Sequence, residues 1–233
     1  MKKSQLFLLH FAGGNLYSFQ FLLPHLKNLE VIPLELPGRG KRTDEELIID
    51  ADMAVKDYTA QIMERLNGQD FIIYGHSMGA VLGLLVAREL ELLGKAPLRL
   101  VVSGNPGPGG ITEKKERHLM SQEALIEELK SLGGISQEVI DEKSIFEYFE
   151  PIIRADFAVL EKKELTISAP LKTGIFALMG SKEKSSHRIT NWKQFTEGAF
   201  GFTILEGDHF FIREHPSSIA HHIIKCYDRN LVL

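Results

Sequence analysis

With 233 residues, the chain has room for one α/β domain or two small ones, and for a sizeable buried core. Hydrophobic residues make up 44% and charged residues 25%, the balance of an ordinary globular protein. A net charge of -4 removes any global electrostatic reason to bind nucleic acid or an anionic membrane.

The chain opens with Lys2-Lys3 and then Leu6-Phe7-Leu8-Leu9. That apolar run is too short for a secretory signal core, and no small-residue cleavage site follows. No window approaches a transmembrane span. One cysteine, Cys226, excludes an intrachain disulfide and reads as a buried thiol in an apolar C-terminal pattern. Together these favour a cytoplasmic protein, expected to act as a monomer.

Short apolar runs alternate with helical patterns. Strands are expected near 6–9, 31–36, 71–74, 98–103, 174–179 and 202–205. Helices are expected near 51–66, 79–93, 189–196 and 217–227. This alternation implies an α/β fold with a mostly parallel sheet flanked by helices, and a site at the carboxyl ends of its strands. His10, Ser77 and Glu183 all fall just after expected strands.

The alternation breaks over residues 111–165. Helices are expected there at 121–131, 136–142 and 144–161, with Gly133-Gly134 separating the first two. The whole chain is expected to form one domain, with this helical insert entering after a strand's carboxyl end and serving as a lid. No internal repeat, low-complexity run or linker is visible.

Gly75-His76-Ser77-Met78-Gly79 is the most informative segment. It lies between the apolar run Phe71-Ile72-Ile73-Tyr74 and a helical pattern, the strand–turn–helix setting of a nucleophile elbow. A serine needs a base, and six of the nine histidines follow Ser77. His209 stands out, because it follows an expected strand through Glu206-Gly207-Asp208 and precedes Phe210-Phe211. Glu183 is the first carboxylate after the strand at 174–179 and is the favoured acid, although it also reads as a surface glutamate between Lys182 and Lys184. Asp208 is a rival in sequence, but neighbouring side chains in extended backbone diverge. After the strand at 98–103 the loop offers Asn105 and no carboxylate before Glu113.

An oxyanion formed at Ser77 needs two N–H donors. Met78 supplies one by its position after the nucleophile. The loop His10-Phe11-Ala12-Gly13-Gly14 is expected to supply the other from Ala12, with Phe11 second. The basic clusters Arg39-Gly40-Lys41-Arg42 and Lys114-Lys115 read as solvated surface. No phosphate-cradling loop, metal motif or cofactor motif is present.

Several segments together resemble the type II thioesterases, the stand-alone editing hydrolases of polyketide and nonribosomal peptide synthesis. These are residues 10–14, Leu36-Pro37-Gly38-Arg39-Gly40-Lys41-Arg42, the elbow at 75–80, Arg154-Ala155-Asp156-Phe157 and Gly207-Asp208-His209-Phe210-Phe211. The resemblance runs nearly end to end. It implies an α/β-hydrolase fold with a helical lid, and no cofactor. It also implies hydrolysis of acyl thioesters on the phosphopantetheine arms of acyl or peptidyl carrier proteins. By position it carries Ser77 over as nucleophile and His209 as base. The family usually has aspartate where this chain has Glu183. Segments 36–42 and 154–157 read as family structural elements without a catalytic role. Any pull on an acidic carrier would come from a local basic patch, for which Arg39–Arg42 or Lys114-Lys115 are the candidates. Two rival readings remain: a carboxylesterase acting on small free esters, and a non-catalytic carrier-binding protein.

Overall fold

The computed structural model describes residues 2–110, 115–134, 142–162, 165 and 167–229. Six strands form one sheet: β1 (Gln5–Leu9), β2 (Glu30–Leu34), β3 (Phe71–His76), β4 (Arg99–Ser103), β5 (Gly174–Gly180) and β6 (Phe200–Leu205). Their order is β2-β1-β3-β4-β5-β6, and every pairing is parallel. The α/β architecture expected from the sequence is therefore present. All the strands point their carboxyl ends the same way, so the loops after β1, β3 and β5 gather at one rim. The strand order reverses between β1 and β3, the place where open α/β sheets hold ligands.

The central strands are buried on both faces, as parallel strands covered by crossovers must be. Phe7, Leu9, Ile73, Leu100 and Ala177 face one core cluster, which includes Ala54, Tyr58 and Ile62 of α1 (Ala51–Arg65) and Leu82 and Val86 of α2 (Met78–Leu92). Leu6, Leu8, Ile72, Val101 and Leu178 face the other. There they meet Leu22 of the 3-10 helix Gln20–His25 and Ile219 and Ile223 of the last helix. Cys226 lies in this second cluster, buried and free, and burial pushes its thiol up to about 12.

The insert enters after β4 and returns into β5. It contains α3 (Gln122–Leu132) and α4 (Lys143–Glu161), which enclose a separate cluster of Leu125, Leu129, Phe146, Ile153 and Phe157. Arg117 bridges Glu128 of α3 and Glu161 of α4, and Arg154 donates to the carbonyls of His118 and Met120. The helix expected at 136–142 lies almost wholly outside the described residues.

Several boundaries differ from expectation for physical reasons. β2 ends at Leu34, because Leu36 turns its N–H toward His10 Nε2 (3.5 Å) instead of a ladder carbonyl. The expected helix at 189–196 is a 3-10 helix over Ser186–Phe195. Its buried residues, Ile189 and Trp192, are three apart, which aligns them in a 3-10 helix. Trp192 Nε1 donates to the Asn105 carbonyl and Asn191 to those of Pro106 and Pro108, so this segment clasps the loop after β4. The last helix, α5 (Pro216–Lys225), begins on a proline, which lacks the N–H that a first-turn position would leave unpaired. Among the described residues no helix is long and apolar enough to cross a membrane.

Candidate active site

Ser77 sits between β3 and α2 with φ 55° and ψ -110°, and among the described residues it alone has positive φ without being glycine. Such backbone is held only where its surroundings enforce it. Its N–H donates to the Ser103 carbonyl at 2.8 Å, which ties the turn to β4. The flanking glycines are steric necessities. A Cβ on Gly75 would overlap the Gly79 carbonyl, and a Cβ on Gly79 would overlap the Leu9 carbonyl. Helix α2 therefore starts directly against the ends of β1 and β3.

The structure brings Ser77, His209 and Glu183 together, although they come from three different loops. His209 Nε2 lies 3.0 Å from Ser77 Oγ, and its Nδ1 lies 2.8 Å from Glu183 Oε2. An ionised carboxylate only accepts, so Nδ1 carries the proton and donates it. Nε2 of the neutral ring is then the acceptor for the Ser77 hydroxyl. Glu183 is held from behind, since its Oε1 accepts from the Gly180 N–H at 2.8 Å. Its side chain is 8% exposed, so it is not the solvated glutamate its lysine neighbours suggest. Asp208 does not reach the imidazole bond: its Oδ1 accepts from the Phe210 N–H at 2.9 Å. Asn105 turns back onto the Gly107 N–H.

Beneath this chain lies a second polar row. Tyr74 Oη and His76 Nδ1 each lie 2.8 Å from Ser103 Oγ. His76 is fully buried, with its ring centroid 5.0 Å from that of His209. Burial first, then the charges of His209 and Arg213, push its pKa well below the ordinary histidine value. His76 is neutral near pH 7 and adds no charge beside His209.

A cavity of about 350 Å³ opens over Ser77 and His209. Leu129 and Leu132 of α3 and Phe149, Ile153 and Phe157 of α4 form one wall, so the insert covers the site. Phe11, Ala12 and Gly13 form part of the facing wall. Met78 is the first residue of α2, where backbone N–H groups have no intrahelical acceptor. The elbow thus offers a serine, an oriented imidazole and helix-terminal N–H groups beside an apolar chamber. That set suits attack on an acyl carbonyl. Among the described residues there is no cluster of side chains able to hold a metal.

The comparisons with known proteins agree with one another. The family described as "Thioesterase domain" matches residues 4–227. The chain belongs to the thioesterase family. Gramicidin S biosynthesis protein GrsT of Aneurinibacillus migulanus is 30% identical over 218 residues, covering 91% of this chain and 84% of that protein. Medium-chain S-acyl fatty acid synthase thioesterase of Rattus norvegicus is 26% identical and covers 93% and 85%. Among solved structures, the type II thioesterase BorB from the borrelidin biosynthetic cluster superposes with a TM-score of 0.85 at 27% identity. It covers 96% of this chain and 92% of its own. RedJ, the thioesterase of the prodiginine pathway in Streptomyces coelicolor, gives 0.87 at 26%, covering 97% and 94%. Thioester hydrolysis is accordingly the reaction class of this thioesterase, and its fold is that of the α/β-hydrolase thioesterases.

Two surroundings of the thioesterase site escaped the sequence. Arg39 is 2% exposed, so it is not the solvated cation its Arg-Gly-Lys-Arg setting suggests. It pairs with Asp156 of α4 at 2.6 and 2.7 Å. Arg42 is likewise occupied, with Glu45 and Asp57. Arg213 lines the cavity mouth, its guanidinium carbon 4.5 Å from the centre of the Phe210 ring. In the sequence, Arg39 and Asp156 lie 117 positions apart, and no local pattern links them.

Proposed function

We propose that this thioesterase releases acyl groups from the phosphopantetheine arms of acyl or peptidyl carrier proteins in the cytoplasm, as an editing hydrolase of polyketide or nonribosomal peptide synthesis. The observation that carries this reading is the Ser77–His209–Glu183 hydrogen-bonded chain at the floor of an apolar chamber. Ser77 Oγ attacks the thioester carbonyl as His209 Nε2 takes its proton. Glu183 holds the imidazolium. The Met78 and Ala12 amides receive the oxyanion. The C–S bond breaks, and the thiolate leaves with the proton from His209. Water then gives a proton to His209 and attacks the acyl-serine carbonyl. Collapse releases the carboxylic acid, and His209 returns the proton to Ser77.

The reading also makes the chain a single hydrolase unit, with the insert over residues 111–165 as its lid. A wall of Leu129, Phe149 and Ile153 favours hydrocarbon acyl groups. Names of relatives support the pathway: one serves gramicidin S biosynthesis and another belongs to the borrelidin cluster. With Arg39 buried and Arg42 paired, the 39–42 segment offers a carrier only the exposed Lys41.

One experiment tests the assignment. A single short acyl group is presented on a holo-carrier, on free pantetheine and as a simple oxygen ester, to wild type and to Ser77→Ala. The carrier form should give the highest kcat/KM. Turnover should fall by about 10⁴ or more in Ser77→Ala. Equal values for carrier and pantetheine would remove the carrier from the proposal, and preference for the oxygen ester would make the protein a carboxylesterase. Near-wild-type turnover by folded Ser77→Ala would remove Ser77 as the nucleophile, whereas no turnover of any of the three substrates and no fluorophosphonate adduct on Ser77 in wild type would leave a carrier-binding role.

A further inference from the structure

The loop after β1 is not held by its own turn alone. Within it, the Gly14 N–H donates to the Phe11 carbonyl at 2.8 Å. His10 Nδ1 also donates to the Phe11 carbonyl at 2.9 Å, and two further contacts reach across the molecule. The Gly13 N–H donates to Asp156 Oδ2 at 2.8 Å, and Arg39 Nη1 donates to the Gly14 carbonyl at 3.3 Å. Arg39 and Asp156 bind each other through two parallel hydrogen bonds and are 2% and 0% exposed. Burial disfavours the Arg39 charge, but Asp156 outweighs it and holds the guanidinium protonated. The carboxylate of Asp156 thus receives three donors: two from the loop after β2 and one from the loop after β1.

Asp156 and Ile153 lie three apart on α4 and share a face. Ile153 packs so closely that a Cβ on Gly13 would approach its Cγ1 to 2.8 Å. The α4 face therefore presses on Gly13 through one apolar and one charged contact. Gly13 directly follows Ala12, whose N–H is the second oxyanion donor in the mechanism above. Its φ of 76° makes this backbone available to few residues other than glycine. Asp156 fixes the peptide that follows Ala12. Arg39 anchors Gly14, whose N–H holds the Phe11 carbonyl, the other end of the peptide that carries the Ala12 N–H. Both sides of Ala12 are thereby braced and its N–H aimed.

We infer that Asp156 and Arg39 form a positioning pair that ties the insert helix α4 to the oxyanion loop, so that the second oxyanion donor is aimed only while this part of the insert is seated. The inference rests on the Ser77–His209 reading and adds to it two residues that touch no substrate. Seating here also confines any lid movement to parts of the insert other than the 153–156 face.

The test uses two variants whose stabilities and rates should rank in opposite orders. Asp156→Asn leaves Arg39 as a buried, uncompensated charge but keeps an oxygen that can accept from Gly13. Arg39→Met/Asp156→Leu replaces the pair by apolar groups of similar size, a change that buried ion pairs often tolerate, but it removes the acceptor for Gly13. The double variant should be the more stable in urea and the slower enzyme. Its kcat on an acylated holo-carrier should fall about 100-fold, the scale of losing one oxyanion donor, with KM within about twofold. Asp156→Asn should lose about tenfold. Affinity for a trifluoromethyl ketone, which forms an oxyanion adduct on Ser77, should fall by the same factors as kcat. A kcat that merely tracks stability, or that is unchanged in either folded variant, overturns the inference. If one variant fails to fold, the other against wild type decides. Should Ser77→Ala be inactive while these variants keep wild-type kcat, only the tether fails. Should Ser77→Ala stay active, the underlying mechanism fails.

Discussion

At the scale of single residues, the acid is the informative case, because its identity decides which imidazole nitrogen carries the proton. Glu183 accepts from the Gly180 N–H through one oxygen and from His209 Nδ1 through the other. In Glu183→Gln the side-chain carbonyl can keep the Gly180 bond. The amide nitrogen would then face Nδ1 and donate to it. That forces the imidazole proton onto Nε2, where it meets the Ser77 hydroxyl instead of accepting from it. The expected result is a fall in kcat of about 10⁴, with a Tm close to wild type. Asp208→Asn is the control. Asp208 bonds the Phe210 N–H, a contact that an asparagine oxygen can also make, so turnover should be unchanged. If Glu183→Gln is as fast as wild type and Asp208→Asn is dead, the acid is misassigned.

At the scale of elements, the elbow depends on how closely α2 approaches the strand ends. Two glycines in this helix have opposite surroundings. A Cβ on Gly79 would overlap backbone, the Leu9 carbonyl at the end of β1, which cannot rotate away. A Cβ on Gly83 would meet the Leu100 Cδ1 methyl at 3.1 Å, and a methyl can yield by a few tenths of an ångström. Gly83→Ala also gains about 1 kcal/mol of helix propensity. Gly79→Ala should therefore lose about 1–3 kcal/mol or more to overpacking and label slowly with a fluorophosphonate. Gly83→Ala should keep wild-type labelling and comparable stability. Urea melts and labelling rates of the two proteins check this. Equal behaviour would mean that the contact between β1 and α2 does not set the position of the nucleophile.

At the scale of the whole molecule, what was legible in the sequence was whatever one local pattern encodes. Residues 71–79 hold a complete strand–turn–helix signal, and each parallel strand is a compact apolar run. The pairing of Glu183 with His209 was partly legible, because both follow strands whose carboxyl ends share a rim. The helix expected near 189–196 is present, but its 3-10 conformation and its earlier start at Ser186 are not legible, since they go with tertiary bonds by Asn191 and Trp192. Arg39 was misread as solvated because its partner lies on a distant insert. The two fully buried histidines, His10 and His76, bear on stability against acid. Burial, then the Arg39 charge, lowers His10 to about 4, with Asp156 and the Phe11 carbonyl opposing the shift only in part. The Tyr58 ring is edge-on to it. His76 is lowered as well, by burial and by the facing His209 and Arg213. Both imidazoles must stay neutral in the folded protein, whereas an unfolded histidine takes up a proton near pH 6.5. Their contribution to stability is therefore complete above about pH 6.5 and is lost as the pH falls toward 4. For His10 the loss across that window is about 3 kcal/mol, and His76 steepens it. Urea denaturation at pH 7, 6, 5 and 4.5 should show stability dropping throughout the range. In His10→Asn, which keeps a donor and an acceptor but does not titrate, the slope should ease by about 1.4 kcal/mol per pH unit. An unchanged slope would mean that His10 is already charged in the native state. The bond in which Leu36 donates to its Nε2 would then be impossible, because a charged imidazole has no acceptor.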